Sequence, residues 1–379
     1  MSKSHLLDCQ YAAICSGCSY WGIPLAAQLN HKTDGLRQDW ESIGLGVCPE
    51  IEVLSHADRG LRDRLDFRLE DGKFGLFDRN REQIVDLAVC PQLSPALEAW
   101  YQQFRKLQWP FAKASIRLRV SYDGKLGVWF DLPNTDVKNL LEQQTLLREI
   151  MQISAVEIGQ RRKNLIWDED DQRLRLAKEP HFQFWTRTWA GDSPIPLLSR
   201  IADFSQPGDA INKVLVGAVS RHFQNENIVM DWGAGSGNLS FPALQNAKHV
   251  WALDHDEFSL LGLKQNLRRN PQYQEKMHIE RIDFHKVGIV EELTQKASLN
   301  LYQHNQTWIV DPPRSGAGAL FYEIPEAVTK IISVSCFKDS FLQDSFELNR
   351  QGFKCQSLAL VDQFPQTHHG EWVSKWQRF

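Results

Sequence analysis

The sequence has no apolar run approaching the roughly 20 residues that a membrane-spanning helix needs, so membrane-spanning function classes are set aside. Residues 1–9 carry no apolar core of a secretory signal, and a cytoplasmic protein with no membrane partner is expected. Charge of either sign is scarce in net terms. The balance is −4 over 379 residues, so a strongly basic nucleic-acid binder is not announced. Phosphate contacts depend on local patches rather than totals, so a basic groove stays open. No internal repeat or low-complexity segment is visible. With 42% apolar and 24% charged residues, the composition excludes a disordered chain. Cysteine is too sparse and odd in number, at seven, for a disulfide framework; a metal or a nucleophile is the better use of it.

What is present begins with where those cysteines fall. Cys9, Cys15 and Cys18 lie within ten residues, and Cys90 follows far downstream beside Pro91. Three thiolates on one short loop can converge, and a fourth from a distant segment can close the site. Gly17 gives the loop backbone freedom. Structural zinc usually pairs two short Cys hairpins, whereas three plus one suits a four-cysteine iron–sulfur cluster better. Zinc stays the alternative on spacing. Thirteen Trp are many for this length; exposed ones would suit base stacking, although most are expected in the core.

The hydrophobic periodicity predicts a helix over 20–45 and antiparallel strands from 51 to 90, where Arg62, Arg64, Asp66 and Arg68 alternate with apolar residues. Residues 115–131 read as a hairpin around Asp123-Gly124. A helix over 135–151 and strands over 153–158 and 173–177 follow. The arginine-bearing face could meet RNA phosphates or be an ordinary solvated sheet face. We divide the chain into a cysteine-rich iron–sulfur region at 1–92, an α+β RNA-binding region at 93–194 and a Rossmann-like domain at 195–379. A helical stretch is predicted over 195–223.

Beyond residue 228, strands and helices alternate, with strands expected at Ile228–Trp232, His249–Asp254, Ile279–Phe284, Trp308–Asp311 and Ile331–Cys336. Such units imply a doubly wound α/β sheet, in which ligands bind outside the carboxyl ends of the strands. Asp231, Asp254, Asp311 and Cys336 fall at those ends and should surround one cleft. The Asp231–Asn238 loop, with Gly233, Gly235 and Gly237, lacks the basic residue a pyrophosphate wants and has the form of an S-adenosylmethionine loop. Asp254 can accept both ribose hydroxyls. Asp311-Pro312-Pro313 is a rigid turn that can present an acid to a flat substrate. Cys336 is either a small buried thiol or a nucleophile. Glu371, near His368 and His369, is a candidate general base. Together the three fit pyrimidine methylation. A thiolate adds to C6 of uracil, C5 gains carbanion character and takes a methyl, and a base removes the C5 proton.

These residues resemble the RNA uracil-C5 methyltransferases, which form 5-methyluridine. The resemblance covers nearly the whole chain. It rests on Cys9, Cys15, Cys18 and Cys90, Phe182-Gln183, Asp231–Gly237, Asp254, Asp311–Arg314, Ser335-Cys336 and Phe364–Glu371. It is nearest to the short 23S rRNA branch with a [4Fe-4S] cluster and no N-terminal OB-type domain; the tRNA branch lacks the cysteines. It implies a Rossmann-like S-adenosylmethionine-dependent domain with an N-terminal α+β domain carrying the cluster. It also implies RNA as partner, with no obligate protein partner evident. By resemblance, Gln183, Gly233, Asp254 and Asp311 would contact S-adenosylmethionine. Cys336 would be the nucleophile and Glu371 the proton acceptor, and Cys9, Cys15, Cys18 and Cys90 would bind the cluster.

The sequence departs from that pattern at three places. Trp185 stands where Asn is usual, Phe337 follows the nucleophile in place of Asn, and Gly233 replaces a residue that is often aromatic. These bear on target choice more than on reaction class. A tRNA methyltransferase and a non-catalytic RNA-binding homologue are the competing readings.

Overall fold

A computed structural model describes residues 9–297, 305–322 and 324–378. In chain order, α1 (Leu25–Ser42) and β1 (Ile51–Leu54) come first. Then follow β2 (Arg64–Glu70), β3 (Lys73–Phe77), β4 (Ile84–Asp86), α2 (Pro95–Arg105), β5 (Lys113–Val120) and β6 (Leu126–Asp131). Next are α3 (Asn134–Glu142), α4 (Gln144–Ile153), β7 (Ser154–Ile158), β8 (Lys163–Asp168), β9 (Arg173–Leu176), β10 (Gln183–Ala190) and β11 (Ser193–Ser199). The last stretch holds α5 (Asp209–Ser220), β12 (Glu226–Trp232), α6 (Ser240–Ala243), β13 (Ala247–Asp254), α7 (Glu257–Arg269) and β14 (Met277–Arg281). It ends with α8 (Ile289–Ala297), β15 (Gln306–Val310), β16 (Val328–Ser335), α9 (Lys338–Arg350), β17 (Lys354–Val361) and β18 (Glu371–Gln377).

The chain forms two compact units. One takes in residues up to Pro24, Ala57–Thr186 and Ser199–Asp209; the other takes in Leu25–His56, Arg187–Leu198 and the chain from Ala210 on. The expected boundary at residue 92 therefore falls inside one unit, because strands on both sides of it share a sheet. Residues 25–56 belong instead with the C-terminal part.

The N-terminal unit is built on an eight-stranded sheet ordered β4-β3-β2-β5-β6-β7-β8-β9, with β6 and β7 parallel. Leu65, Phe67 and Leu69 of β2 point inward while Asp66 and Arg68 are exposed, as strict alternation demands. Ser94 caps α2 by accepting from the Leu97 N–H, and Trp100, Tyr101 and Phe104 join the buried core. On the outer face Asp66 pairs with Arg64 at 3.2 Å and Arg117 at 2.5 Å, so the arginine alternation is partly neutralised within the sheet. Trp185 is 2% exposed, with its ring against Gly127. A Cβ at Gly127 would lie 2.6 Å from that ring, so this glycine makes the room the tryptophan fills.

The C-terminal unit carries a sheet ordered β1-β17-β18-β16-β15-β12-β13-β14. All neighbours are parallel except β18, which runs antiparallel to both β16 and β17. Successive residues of the central strands go to opposite buried faces. Met230, Trp232, Trp308 and Val310 belong to one core and Val229, Val250 and Ile309 to the other. This two-sided burial explains the near-continuous apolar strands of the sequence. The predicted helix over 195–223 divides. Pro194 and Pro196 start a strand, β11, and α5 begins only after Pro207-Gly208. Among the described residues no helix is long and apolar enough to cross a membrane.

Candidate active site

The C-terminal unit delivers its acids at strand ends. Asp231 is the penultimate residue of β12 and fully buried. Its Oδ2 accepts from Ser240 Oγ at 2.5 Å, while Oδ1 has no hydrogen-bond partner among the described residues. Burial and nearby Asp254 push its carboxyl up to about 7. Asp254 ends β13. It accepts from the Gly235 N–H and the Asp256 N–H, both at 2.8 Å, which binds the glycine-rich loop to the next strand. Asp311 follows β15 directly. Burial, then Asp231 and Asp254, push it up to about 7.

The loop itself is held from outside by residues that the sequence did not single out. Asn212 and Asn238 exchange side-chain hydrogen bonds at 2.9 Å in both directions. Thr188 Oγ1 donates to the Asn238 carbonyl at 2.6 Å, and Asn266 Nδ2 donates to the Ser236 carbonyl at 3.1 Å. Buried Asn on amphipathic helices is the signal that could have found them, since a polar group at a core position needs a partner. Gly233 sits at φ +90°, and a Cβ there would stand 2.5 Å from the Asp311 carbonyl oxygen. No side chain fits, which is the physical reason an aromatic residue is absent from this position.

Cys336 follows β16 and is half-buried. Its thiol is pushed up to about 11 by burial, Glu371 and Asp311, and drawn back by Arg314. The sulfur therefore rests protonated near neutral pH, with both acids and one guanidinium in its electrostatic neighbourhood. Glu371 opens β18, pairing with Val361 of β17 beside Ser335↔Trp372 of β16. It is 3% exposed, and burial and Asp311 raise its carboxyl well above the usual range. Its Oε2 accepts from Gln363 Nε2 at 3.0 Å. The sequence names Glu371 as a candidate general base without a strand around it; the antiparallel strand β18 that begins there is not foreseen. Asp344 holds the turn beyond Arg314, accepting from the Ala317 N–H at 2.9 Å. Phe337 caps α9 with its backbone, accepting from Ser340 Oγ at 3.1 Å.

Gln183 opens β10 and belongs, half-buried, to the N-terminal unit. Cys9, Cys15, Cys18 and Cys90 are in that unit too, each half-buried. Arg79 ties their loop down, donating from Nη2 to the Ala12 carbonyl at 2.6 Å and the Cys18 carbonyl at 3.2 Å. Tyr11 Oη accepts from the Ala88 N–H at 2.8 Å, which joins the loop to the Cys90 segment. Burial raises Cys18 to about 12, with further upward pushes from Cys90, Cys15 and Cys9. Burial likewise raises Cys90 to about 11, and Arg62 opposes both shifts. The four thiols thus share one electrostatic neighbourhood. Among the described residues, no three or more His, Cys, Asp or Glu converge so as to hold a metal ion.

A parallel sheet with one antiparallel strand, a glycine-rich loop after the central strand and acids at the strand ends is the architecture of the Rossmann-like methyltransferases. The tRNA (uracil-54, C5)-methyltransferase of Pyrococcus abyssi, solved with S-adenosyl-L-homocysteine, superposes with a TM-score of 0.66 at 20% identity, covering 96% of this chain and 86% of that one. The family model of tRNA (uracil-5-)-methyltransferases matches residues 199–374. An uncharacterized RNA methyltransferase of Bdellovibrio bacteriovorus is 36% identical, across 99% of this chain and 96% of that protein. A 23S rRNA (uracil(1939)-C(5))-methyltransferase of Marinomonas sp. is 24% identical, across 96% and 79% respectively. The chain belongs to the RNA uracil-5-methyltransferase family and is an enzyme of that class.

Proposed function

We propose that this enzyme forms 5-methyluridine in 23S rRNA with S-adenosylmethionine as methyl donor. The observation that carries the reading is the placement of Cys336 just after β16 and of Glu371 at the start of neighbouring β18, where Glu371 pushes the Cys336 thiol up. Relatives named for 23S rRNA uracil methylation that align with nearly the whole chain support the choice of RNA.

The donor supplies an electrophilic methyl on a positively charged sulfur. Gly233, Asp254 and Asp311 are the residues of the C-terminal unit assigned to hold it, with Gln183 as a further contact. Buried Asp231 and half-buried Asp311 have no basic hydrogen-bond partner among the described residues, and they suit a cation. The Cys336 thiol loses its proton to solvent, with Arg314 as the nearby group that favours the thiolate, and the thiolate adds to uracil C6. C5 then takes the methyl. Glu371 accepts the C5 proton, the C5=C6 bond re-forms and the C6–S bond breaks with its electron pair on sulfur, which frees the Cys336 thiolate for another turnover.

Cys9, Cys15, Cys18 and Cys90 are assigned to a [4Fe-4S] cluster. An all-cysteine donor set beside Arg62 and Arg79 suits an anionic iron–sulfur group. Its role is to fasten the N-terminal loop. Residues 1–92 and 93–194 are read as the cluster-bearing and RNA-binding parts. Anaerobically purified protein should be brown and contain iron, and stoichiometric zinc without iron overturns this assignment.

The test of function is transfer of labelled methyl to 23S rRNA and tRNA transcripts, followed by mass mapping of 5-methyluridine. Label on rRNA lost in Cys336→Ala is the expected result. Label on tRNA alone favours the tRNA reading. RNA binding without any methyl transfer by cluster-loaded protein favours a non-catalytic homologue.

A further inference from the structure

The turn that leads into Glu371 is gripped from a helix more than three hundred residues earlier. Lys32 Nζ donates to Asp362 Oδ1 at 2.6 Å and to the Phe364 carbonyl at 3.1 Å. Both side chains of that ion pair are wholly buried. One turn before Lys32 on α1, Gln28 Nε2 donates to Gln366 Oε1 at 2.9 Å, and Gln28 Oε1 accepts from the Gln366 N–H at 2.8 Å. Gln366 stands at φ +66°, an unfavourable region for a side-chain-bearing residue, so its conformation is over-determined by its neighbours. Asp362 and Gln363 are adjacent in sequence, and Gln363 Nε2 is the donor to the Glu371 carboxyl. Hydrogen bonds from α1 therefore hold the turn on either side of Gln363, and Gln363 carries the contact on to Glu371.

Burying an ion pair is a poor way to gain stability, since desolvation consumes most of the attraction and an apolar pair of the same volume often does as well. Directional bonds provide what apolar contact does not, namely a single register for the turn. We propose that Gln28 and Lys32 are positioning residues: from α1 they fix the Asp362–Thr367 turn so that Gln363 aims the Glu371 carboxyl at the C5 proton of the target uracil. The proposal rests on Glu371 being the proton acceptor, as argued above.

Proton removal comes after methyl transfer, so a misaimed base leaves the methylated uracil bound to Cys336. Full-length, cluster-loaded protein is reacted in single turnover with labelled donor and a uridine-containing transcript. Covalent protein–RNA adduct and free methylated RNA are resolved on a denaturing gel. Glu371→Gln sets the scale by accumulating adduct. In the Lys32→Met/Asp362→Leu double variant the apolar pair preserves folding, checked by an unchanged Tm. Adduct should form at the wild-type rate and resolve about ten-fold more slowly, as a small misplacement of a reacting group predicts. Gln28→Leu should behave alike. Resolution at the wild-type rate in folded variants overturns the proposal, and so does an equal loss of adduct formation and resolution. If the wild type turns over without any adduct, the reading of Cys336 and Glu371 fails, and the proposal falls with it.

Discussion

The two units differ in how they bury charge. In the N-terminal unit a guanidinium is buried alongside the acids Glu157 and Asp203. Arg119 is 1% exposed, donates to the Arg200 carbonyl at 3.0 Å and lies over the Trp185 ring, and its Nη2 has no hydrogen-bond partner among the described residues. Burial and neighbouring Arg64 and Arg117 depress it to about 9, and burial depresses Arg64 to about 10. In the C-terminal unit, apart from the buried Lys32–Asp362 pair, buried Asp231, half-buried Asp311 and buried Glu371 stand without a cationic partner among the described residues, with Asp231 and Asp311 lifted to about 7 and Glu371 raised as well. A buried charge held short of full compensation is costly, and the sign of the shortfall indicates the charge of what completes it. Carboxyls at strand ends fit a cationic methyl donor.

The comparison can be tested from its strongest consequence downward. Cys336→Ala should lower methyl transfer by about three orders of magnitude or more, measured in single turnover, while donor binding by calorimetry stays intact. Asp311→Asn removes one of the uncompensated acids. Donor affinity should fall about ten-fold, and the ligand-free protein should melt about 2 °C higher than wild type at pH 8. A loss of both affinity and stability would mean that Asp311 is compensated after all.

The pH dependence sharpens the same point. Asp231 and Asp311 have folded values raised above the unfolded carboxylate range, so the folded state holds the extra protons. The stability they contribute is complete below about pH 4 and is lost as pH rises through about 7. Donor binding runs in the opposite direction, because a cation favours the ionised acids. Its affinity should tighten about five-fold between pH 6 and pH 8 in a titration, and a flat profile would break the charge argument. The smallest effect belongs to the other unit. Arg119→Met should leave donor affinity within about two-fold and Tm within about 3 °C, because the buried cation is only partly compensated.

Much of the C-terminal unit was legible because parallel strands write themselves as apolar runs ending in a functional residue. Asp231, Asp254, Asp311 and Cys336 could be placed at strand ends from that pattern, and the structure puts them there. The partners of those strands were not legible. β1 pairs with β17, and β18 inserts antiparallel between β16 and β17. Such pairing is fixed by distant segments meeting, which no local window contains. β11 was lost to a helical reading because its burial alternates only over a short stretch between prolines. Gln28 and Lys32 went unnoticed although they share a face with Leu36 and Trp40, all buried. A lysine and a glutamine spaced four apart on the apolar side of a helix are a readable anomaly, and their partners lie beyond any sequence rule.

That α1 closes on the far end of the chain carries a consequence for synthesis on the ribosome. Asp362 follows Lys32 by 330 residues. At roughly 5–20 residues per second, the helix emerges some 15–65 s before its counterion does. During that interval an ammonium destined for a dry interior has only water or a chaperone for company. The stretch from Asp362 through β18 then supplies the missing carboxylate and the strand that inserts between β16 and β17, so the sheet becomes whole only after some 330 further residues have been made.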